Sequence, residues 1–364
     1  SYKDFNATSD FSESSSCGAL ILCLPTPINK QNEPDLTYVT STMESLSSFI
    51  RESQIIILES TTYPGTTEEL LLPYVSDAGF EVGTNFYLAY SPEREDPGNE
   101  THTTKSIPKV VAGVSSDCTD IAAKLYSYAV DTVVKVSSPA AAEMSKLLEN
   151  IYRAVNIGLV NEMKIIADSM GIDIHEVINA AATKPFGFTP FYPGPGLGGH
   201  CIPVDPFYLS WKAKQIGQDA KFIELSGQIN RDMPMWVFRK LESALNAAGT
   251  NEQDLKVLVL GLSYKKNIDD LRESPSIELM EILRKEGYMV SYSDPFIEEF
   301  PPMRNHSFDL QNTVLDKNSL SEFDAVILST DHDNFDYELI RQHSKLLIDT
   351  RGVYKEKHIN IIKA

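Results

Sequence analysis

From Gly18 to about Val136, short apolar runs alternate with longer stretches of helical period: GALILCL, then Thr37 to Ile50, then QIIILES, then Thr66 to Ser76. Strand, helix, strand, helix in this order predicts parallel βαβ units. In TTYPGTTEELL, Pro64 and Gly65 make a turn, and Thr66 with Glu69 has the spacing of a capping box that starts the next helix. The carboxyl end of a strand is therefore expected to meet a helix N-terminus at Thr62, which is where ligands bind in open α/β sheets. Further strand-like runs follow at Phe86 to Tyr90, Lys109 to Val114 and Val133 to Val136.

From Pro139 to about Met170 the period changes to that of a helix, with Met144, Leu147, Leu148, Ile151, Val155, Leu159 and Met163 marking one face. This long helix should end at Gly171. A second helical stretch, His175 to Ala182, leads into the Pro/Gly-rich segment KPFGFTPFYPGPGLGGHCIPVDPF, and more helix is expected from Pro206 to Ala248. After Gly249 and Thr250 the βαβ pattern resumes with LKVLVLGLSY, a helix from Ser276 to Glu286, MVSYSDP, FDAVILST and KLLIDTRG. Two α/β parts thus flank a helical one.

The 364 residues are 42% hydrophobic and 23% charged, ordinary values for globular domains with their own cores. Lys and Arg number 32 against 51 Asp and Glu, a net charge of −19, which repels a polyphosphate backbone and excludes a nucleic-acid partner. No apolar run approaches the roughly 18 residues that span a bilayer, so no membrane role is expected. The cysteines, Cys17, Cys23, Cys118 and Cys201, lack metal-ligand spacing. That argues against a zinc site or a disulfide framework, leaves no metal expected and points to a reducing cytoplasm. The opening SYKDFNATSDF has no signal-peptide character and reads like the interior of a domain, so residues are expected to precede Ser1.

GPGLGG, Gly194 to Gly199, matches the letters of the dinucleotide fingerprint, but prolines on both sides deny it the strand before and the helix after. Its glycines are expected to serve close backbone approach or positive φ. Cys201 follows directly, beside His200 and four residues before Asp205; its spacing leaves open an inert buried cysteine and an exposed nucleophile. On the long helix Lys146, Asn150 and Arg153 share a face, which by default is a solvated one. Against that default, Asn150, Asn156 and Asn161 are poor helix formers, better tolerated where they have a task. SPEREDPGNE brings Glu93, Glu95 and Asp96 after a strand. YKKNIDDLRES brings Lys265, Lys266 and Arg272, cations suited to holding phosphate. Either segment could equally be a solvated loop.

Together, LPTP (Leu24 to Pro27), ESTTYPGTT (Glu59 to Thr67), SPERE (Ser91 to Glu95), KLLEN (Lys146 to Asn150), PGPGLGGHCIPVD (Pro193 to Asp205) and KKNIDDLRES (Lys265 to Ser274) resemble the nucleotide-sugar 6-dehydrogenases, in order and spacing, across nearly the whole chain. The resemblance implies an α/β fold with two Rossmann-like parallel-sheet domains, residues 1–136 for NAD and 251–364 for UDP, joined by a central helical dimerisation domain, 137–250. It implies oxidation of the C6 hydroxymethyl of a UDP-sugar to a carboxylate by two NAD⁺, with Cys201 the nucleophile that captures the aldehyde as a thiohemiacetal and then a thioester. Lys146 and Asn150 would stabilise the oxyanion, and Glu93, Thr62 and Asp205 would handle protons and water. Phe191, Tyr192, Gly198, Lys266 and Arg351 would meet the UDP-sugar; Thr26, Pro27, Thr61, Thr62 and Arg272 would meet NAD. The family's Gly-rich turn after a first strand is not in the sequence, so a first βαβ half-site is expected to be missing. GGHCIPVDPFYLSWKA is similar to the branch acting on UDP-N-acetylhexosamines, with UDP-N-acetylglucosamine the expected substrate and surface polysaccharide the destination. The galactosamine and mannosamine epimers and UDP-glucose are alternatives, as are a non-catalytic UDP-sugar-binding protein and a thiol hydrolase using Cys201 and His200. A homodimer is expected from the apolar stripe of the long helix.

Overall fold

Each apolar run in the first third of the chain becomes a strand: β1 (Ala19–Leu22), β2 (Ile55–Leu58), β3 (Tyr87–Tyr90), β4 (Lys109–Gly113) and β5 (Val133–Lys135). The computed structural model describes residues 5–29, 31, 33–95, 101–199, 202–250, 254–303 and 306–364. The chain divides into two compact units, Ser1–Ile151 with Val204–Ala220, and Tyr152–Pro203 with Lys221–Ala364.

In the first unit the strands form one sheet in the order β1-β2-β3-β4-β5. β1, β2 and β3 run parallel, with Leu22 beside Leu58 and Leu58 beside Tyr90. β2 is buried along its whole length because helices cover both faces. Val39, Met43 and Leu46 of α1 (Thr37–Leu46) join the cluster holding Ile56 and Leu58, while Ala122, Ala123 and Tyr126 of α3 (Ser116–Tyr126) join Ile55 and Ile57. The expectation of an all-parallel sheet fails at one pair: β3 and β4 are antiparallel. A parallel return needs a crossover, usually helical, and the described residues between Tyr90 and Lys109 hold no helix.

The expected capping box is also absent. A π turn, Thr67–Leu71, leads into α2 (Leu72–Asp77), and Thr66 already has helical angles and makes no side-chain cap. Its hydroxyl donates instead to the Tyr63 carbonyl (2.7 Å), while Glu69 accepts from Lys212 at 2.7 Å. The free N–H groups of this helix start are taken by a distant residue, Glu143, described below.

The helical segment supplies α4 (Pro139–Ser169), α5 (Ile174–Ala182), α6 (Asp205–Gln215) and α7 (Lys221–Ala247). The helical stretch expected from Pro206 to Ala248 forms two helices, because Gly217, at φ +72°, closes α6 in the left-handed conformation that ends helices. α4 buries the face that its polar residues share. Met144, Leu148, Leu159 and Met163 are 41 to 64% exposed, whereas Glu143, Lys146, Asn150, Asn161 and Lys164 are buried. The face that was solvated by default is the inner one.

In the second unit β6 (Lys256–Leu260), β7 (Met289–Ser293), β8 (Ala325–Leu328), β9 (Leu347–Asp349) and β10 (Ile361–Lys363) form a sheet in the order β10-β9-β8-β6-β7. Every pair is parallel, as expected, with α8 (Pro275–Lys285), α9 (Lys317–Glu322) and α10 (Tyr337–His343) among the connections. The chain turns sharply off β6 at Gly261, where φ is +79° and an added Cβ would lie 2.4 Å from the Thr330 carbonyl oxygen. Gly261→Ala should therefore lower stability by about 2–4 kcal/mol, from left-handed strain plus the overlap. A thermal unfolding midpoint equal to that of the unaltered protein would contradict this.

Candidate active site

In the first unit the carboxyl ends of β1 and β2 open into LPTP and STTYPG, the places expected to meet a dinucleotide. Thr26 is buried and its carbonyl accepts from the Tyr208 hydroxyl of α6 (2.7 Å), a support not foreseeable from spacing or pattern. Pro27 fixes the same loop by accepting from the Asp35 N–H (2.8 Å). Thr61 is half-buried, and Thr62 is fully buried with a hydroxyl that has no hydrogen-bond partner among the described residues. An orphaned buried hydroxyl calls for a partner from outside the protein. Tyr90, at the end of β3, carries a second such hydroxyl.

The inward face of α4 completes this unit's chemistry. The Glu143 carboxylate accepts from the Gly65 N–H, from the Thr67 N–H (2.9 Å) and from the Thr67 hydroxyl (2.7 Å), so it caps the helix start after β2. Free helix N–H groups and the dipole both favour an anion there. Burial raises the Glu143 pKa above the ordinary carboxylate value, against the opposing pull of these donors. One turn on, Lys146 is buried and makes no hydrogen bond or ion pair among the described residues. A further turn on, the Asn150 amide donates to the carboxylate of Asp205, itself buried in the first turn of α6. An ammonium, an amide and a carboxylate thus line one buried strip. Sequence spacing had grouped Lys146 and Asn150; Glu143 was missed, although it lies on the same face three and seven residues before them.

Glu93 is placed differently from a free base. It accepts from the N–H groups of Arg94 and Glu95 (both 2.7 Å) and from the Lys109 ammonium at 3.1 Å. Burial pushes its pKa up, but Lys109 and the two N–H groups outweigh that and lower it. Lys109 also pairs with Glu59 at 3.0 Å.

In the second unit the Gly-rich segment has neither flanking strand nor helix, so the dinucleotide fingerprint is excluded there. Its glycines serve close approach to protein groups. A Cβ on Gly194 would sit 2.7 Å from the Arg351 guanidinium, and one on Gly198 would meet Tyr264, the Glu273 carbonyl and Pro275. Gly194 donates to Asn161 of α4 (3.1 Å), whose amide donates to Asn230 (2.9 Å). That is the task of one out-of-place asparagine; Asn156 only donates back to Tyr152. Arg351 donates through Nε to the Ser329 carbonyl (2.6 Å). Lys266 is paired with Asp333 (3.0 Å), and Arg272 with Asp270 (2.6 Å). Phe191 packs edge-on against Tyr152, and the Tyr192 hydroxyl donates to Asn179 (2.8 Å). Cys201 and His200 lie outside the described residues, as does Asp96. Among the described residues no cluster suits a metal, and no helix is long and apolar enough to cross a membrane.

The sequence patterns of one family match in three consecutive parts: its NAD binding domain at residues 1–130, its central domain at 140–232 and its UDP binding domain at 258–356. The UDP-N-acetyl-D-glucosamine 6-dehydrogenase of Pseudomonas aeruginosa is 35% identical, over 88% of this chain and 75% of that protein. The chain belongs to the UDP-glucose/GDP-mannose dehydrogenase family. Another family member, the UDP-N-acetyl-D-mannosamine dehydrogenase of Pyrococcus horikoshii, is 33% identical over 94% of this chain and 79% of its own length. A solved structure of UDP-D-ManNAc dehydrogenase from that organism superposes with a TM-score of 0.86, at 31% identity, covering 98% of this chain and 82% of that one.

The protein is an NAD-dependent UDP-sugar dehydrogenase of three α/β and helical domains. The match to the family's NAD binding domain begins at residue 1 and gives no support to the expected loss of a first βαβ half-site. The residues present suit NAD: Thr26, Pro27, Thr61 and Thr62 stand at the carboxyl ends of two parallel strands, and the Thr62 hydroxyl has no hydrogen-bond partner among the described residues.

The raised pKa of Glu143 has a signed consequence. A carboxyl that binds its proton more tightly when folded stabilises at low pH, and that contribution is lost as pH rises from the ordinary carboxylate range through the raised value. Glu143→Gln keeps an acceptor for the N–H groups and should abolish this part of the pH dependence. Glu143→Ala should cost about 2–4 kcal/mol by orphaning buried donors. Urea unfolding of the three proteins across pH 4 to 8 checks both; identical pH slopes for the unaltered and Gln proteins would refute the assignment.

Proposed function

We propose that the protein oxidises the C6 hydroxymethyl group of a UDP-N-acetylhexosamine to the carboxylate, and that the sugar is N-acetylmannosamine. The observation that carries the chemistry is the buried strip of Lys146, Asn150 and Asp205 on and beside α4. A cation and an amide held side by side in low dielectric suit an oxygen that gains negative charge, and they need no reorganisation as it does so. A binding protein or scaffold has no use for them. The epimer rests on the relatives: UDP-N-acetyl-D-mannosamine dehydrogenases from archaea and from Escherichia coli, at 31 to 33% identity, support mannosamine over the glucosamine expected from sequence. Glucosamine is the second reading, favoured by the Pseudomonas and Salmonella relatives.

Held at the carboxyl ends of β1 and β2 by Thr26, Pro27, Thr61 and Thr62, bound NAD would supply the hydride acceptor for both oxidations. The residues of the chain manage what remains. Cys201 adds its sulfur to the C6 aldehyde, giving a thiohemiacetal that keeps the aldehyde from escaping; loss of its C6 hydride to the dinucleotide and of its hydroxyl proton to Asp205 leaves a thioester. Water then attacks the thioester carbon and the thiol leaves with a proton, yielding the carboxylate. Lys146 and Asn150 hold the oxyanion at both covalent stages. Asp205, fixed by Asn150 at the N-terminus of α6, takes the proton from thiol or water. Thr62 orients the water and Glu93 contributes a further proton site, while Arg351, Lys266, Phe191, Tyr192 and Gly198 receive the UDP-sugar and Arg272 the dinucleotide. The product fits surface-polysaccharide synthesis in a reducing cytoplasm, where Cys17, Cys23 and Cys118 stay unpaired as they are here.

The test is the molar ratio of NADH formed to UDP-sugar consumed, over a panel of the mannosamine, glucosamine and galactosamine nucleotides and UDP-glucose. A four-electron oxidation gives about two NADH per sugar, and the mannosamine nucleotide should have the highest kcat/KM. Preference for another sugar would overturn the epimer, and a ratio near one would overturn the acid as product. In the same assay Lys146→Ala should lower kcat by about 10²-fold, as for loss of an oxyanion donor; a change confined to KM would remove it from that role.

We also propose a homodimer built on the outer face of α4. Leu148, Leu159 and Tyr152 are each at least half exposed there, a cost in water that a second copy removes. Light scattering should give twice the chain mass, and Leu148→Glu should shift it toward the monomer. A monomeric unaltered protein would sink the proposal.

A further inference from the structure

The loop that follows β6, residues 262–267, carries Lys265 and Lys266 and is held by the ends of two neighbouring strands. The Leu262 N–H donates to Asp294 at the end of β7 (2.7 Å), and the Thr330 hydroxyl, after β8, donates to the Ser263 carbonyl (2.6 Å). The Ser263 hydroxyl donates to the Lys265 carbonyl (2.9 Å). The far side of the loop rests on His332 and Asp333. The Asn267 N–H donates to His332 Nδ1 (2.9 Å), the Asn267 amide donates to Asp333 (2.6 Å), and the Asp333 N–H donates back to Asn267 (3.0 Å). Lys266 completes the clamp through its ion pair with Asp333.

His332 is fully buried between the rings of Phe296 and Phe335. Because Nδ1 accepts from Asn267, the ring proton belongs on Nε2, which faces Asp294 Oδ2 at 3.1 Å and Ser263 Oγ at 3.2 Å. One neutral imidazole therefore joins the end of β7, the start of the loop and its far end. Asn267 sits at φ +63°, a conformation that Asn tolerates better than most residues, so the N–H is aimed at the ring by the backbone itself.

We propose that His332 is a positioning residue for substrate binding: as the Nε2–H tautomer it fixes the 262–267 loop so that Lys266 is presented to the sugar nucleotide. This rests on the function proposed above, in which Lys266 approaches that ligand. The tether acts on binding and leaves the reacting atoms alone, so its loss belongs in KM and in the Kd of UDP.

The experiment compares His332→Asn with His332→Gln. Asn places an oxygen near the position of Nδ1 and keeps an acceptor for Asn267; Gln places its amide near Nε2, keeps the donor to Asp294 and loses the tether. His332→Gln should raise KM for the UDP-sugar and the calorimetric Kd for UDP by about 10-fold, the effect of one hydrogen bond, with kcat within about twofold. His332→Asn should stay within about threefold of the unaltered protein. Asp333→Ala, at an exposed position, releases the loop without touching the core and should raise both constants about threefold; it carries the test if His332→Gln does not fold. Equal impairment by Asn and Gln, a loss in kcat alone, or an unchanged KM in Asp333→Ala would each overturn the proposal. Failure of the unaltered protein to bind UDP would instead overturn the reading of the site on which it rests.

Discussion

Placing the polar face of α4 inside is the constraint on which the first unit depends. Glu143, Lys146 and Asn150 lie within two turns of one another and are all buried, where an ionised group loses the solvation that water gave it. Such a face persists only if its groups are engaged. Glu143 is engaged by the free N–H groups of a helix start, and Asn150 by a carboxylate at the start of another helix. Both arrangements set a carboxylate against a helix N-terminus, where the dipole offsets part of the desolvation. Lys146 is the exception, buried without a partner among the described residues, and that is the arrangement suited to meeting charge that develops on a substrate.

The same constraint accounts for what lies outside. A helix whose polar face points in has apolar residues left over, and Met144, Leu148, Leu159 and Met163 are presented to solvent. The chemistry proposed for the inner face and the dimer proposed for the outer one therefore rest on one sequence feature. The 3.6-residue period that brings Lys146 and Asn150 together also sets Met144, Leu148, Leu159 and Met163 on the opposite side, while Leu147 is buried.

Periodicity made most of the fold legible. The apolar runs became strands and the long helix ended within a residue or two of Gly171, because both rest on local pattern. Three readings failed where a distant residue decides. Thr66 and Glu69 have capping-box spacing, but a carboxylate from α4 occupies the N–H groups first. The β3–β4 pair is antiparallel, and the described residues between the two strands supply no crossover helix, which apolar runs alone do not reveal. The default of a solvated face for Lys146 and Asn150 gives way because amphipathicity fixes that two faces differ, while burial follows from what each face meets. Spacing groups Lys146 and Asn150 and sets Glu143 on their face without revealing what it holds; it has no means of finding Tyr208, whose partner lies far away in sequence.

Both units use the same device at the carboxyl ends of their strands. A loop that must present groups to a ligand cannot bury its own backbone, so its polar atoms need partners elsewhere. After β2 the partner is Glu143; after β6 it is His332, with Asp294 and Thr330 beside it. In each case a buried side chain from another part of the unit does what turn residues would otherwise do. Loop conformation then shares the stability of the sheet beneath it, and a ligand meets groups that are already ordered instead of ordering them at the expense of affinity. Glycine enters on the same terms: Gly194 and Gly261 are needed because Arg351 and the Thr330 carbonyl come too close for a side chain. The residues hardest to read from sequence are therefore the ones that hold the legible ones in place.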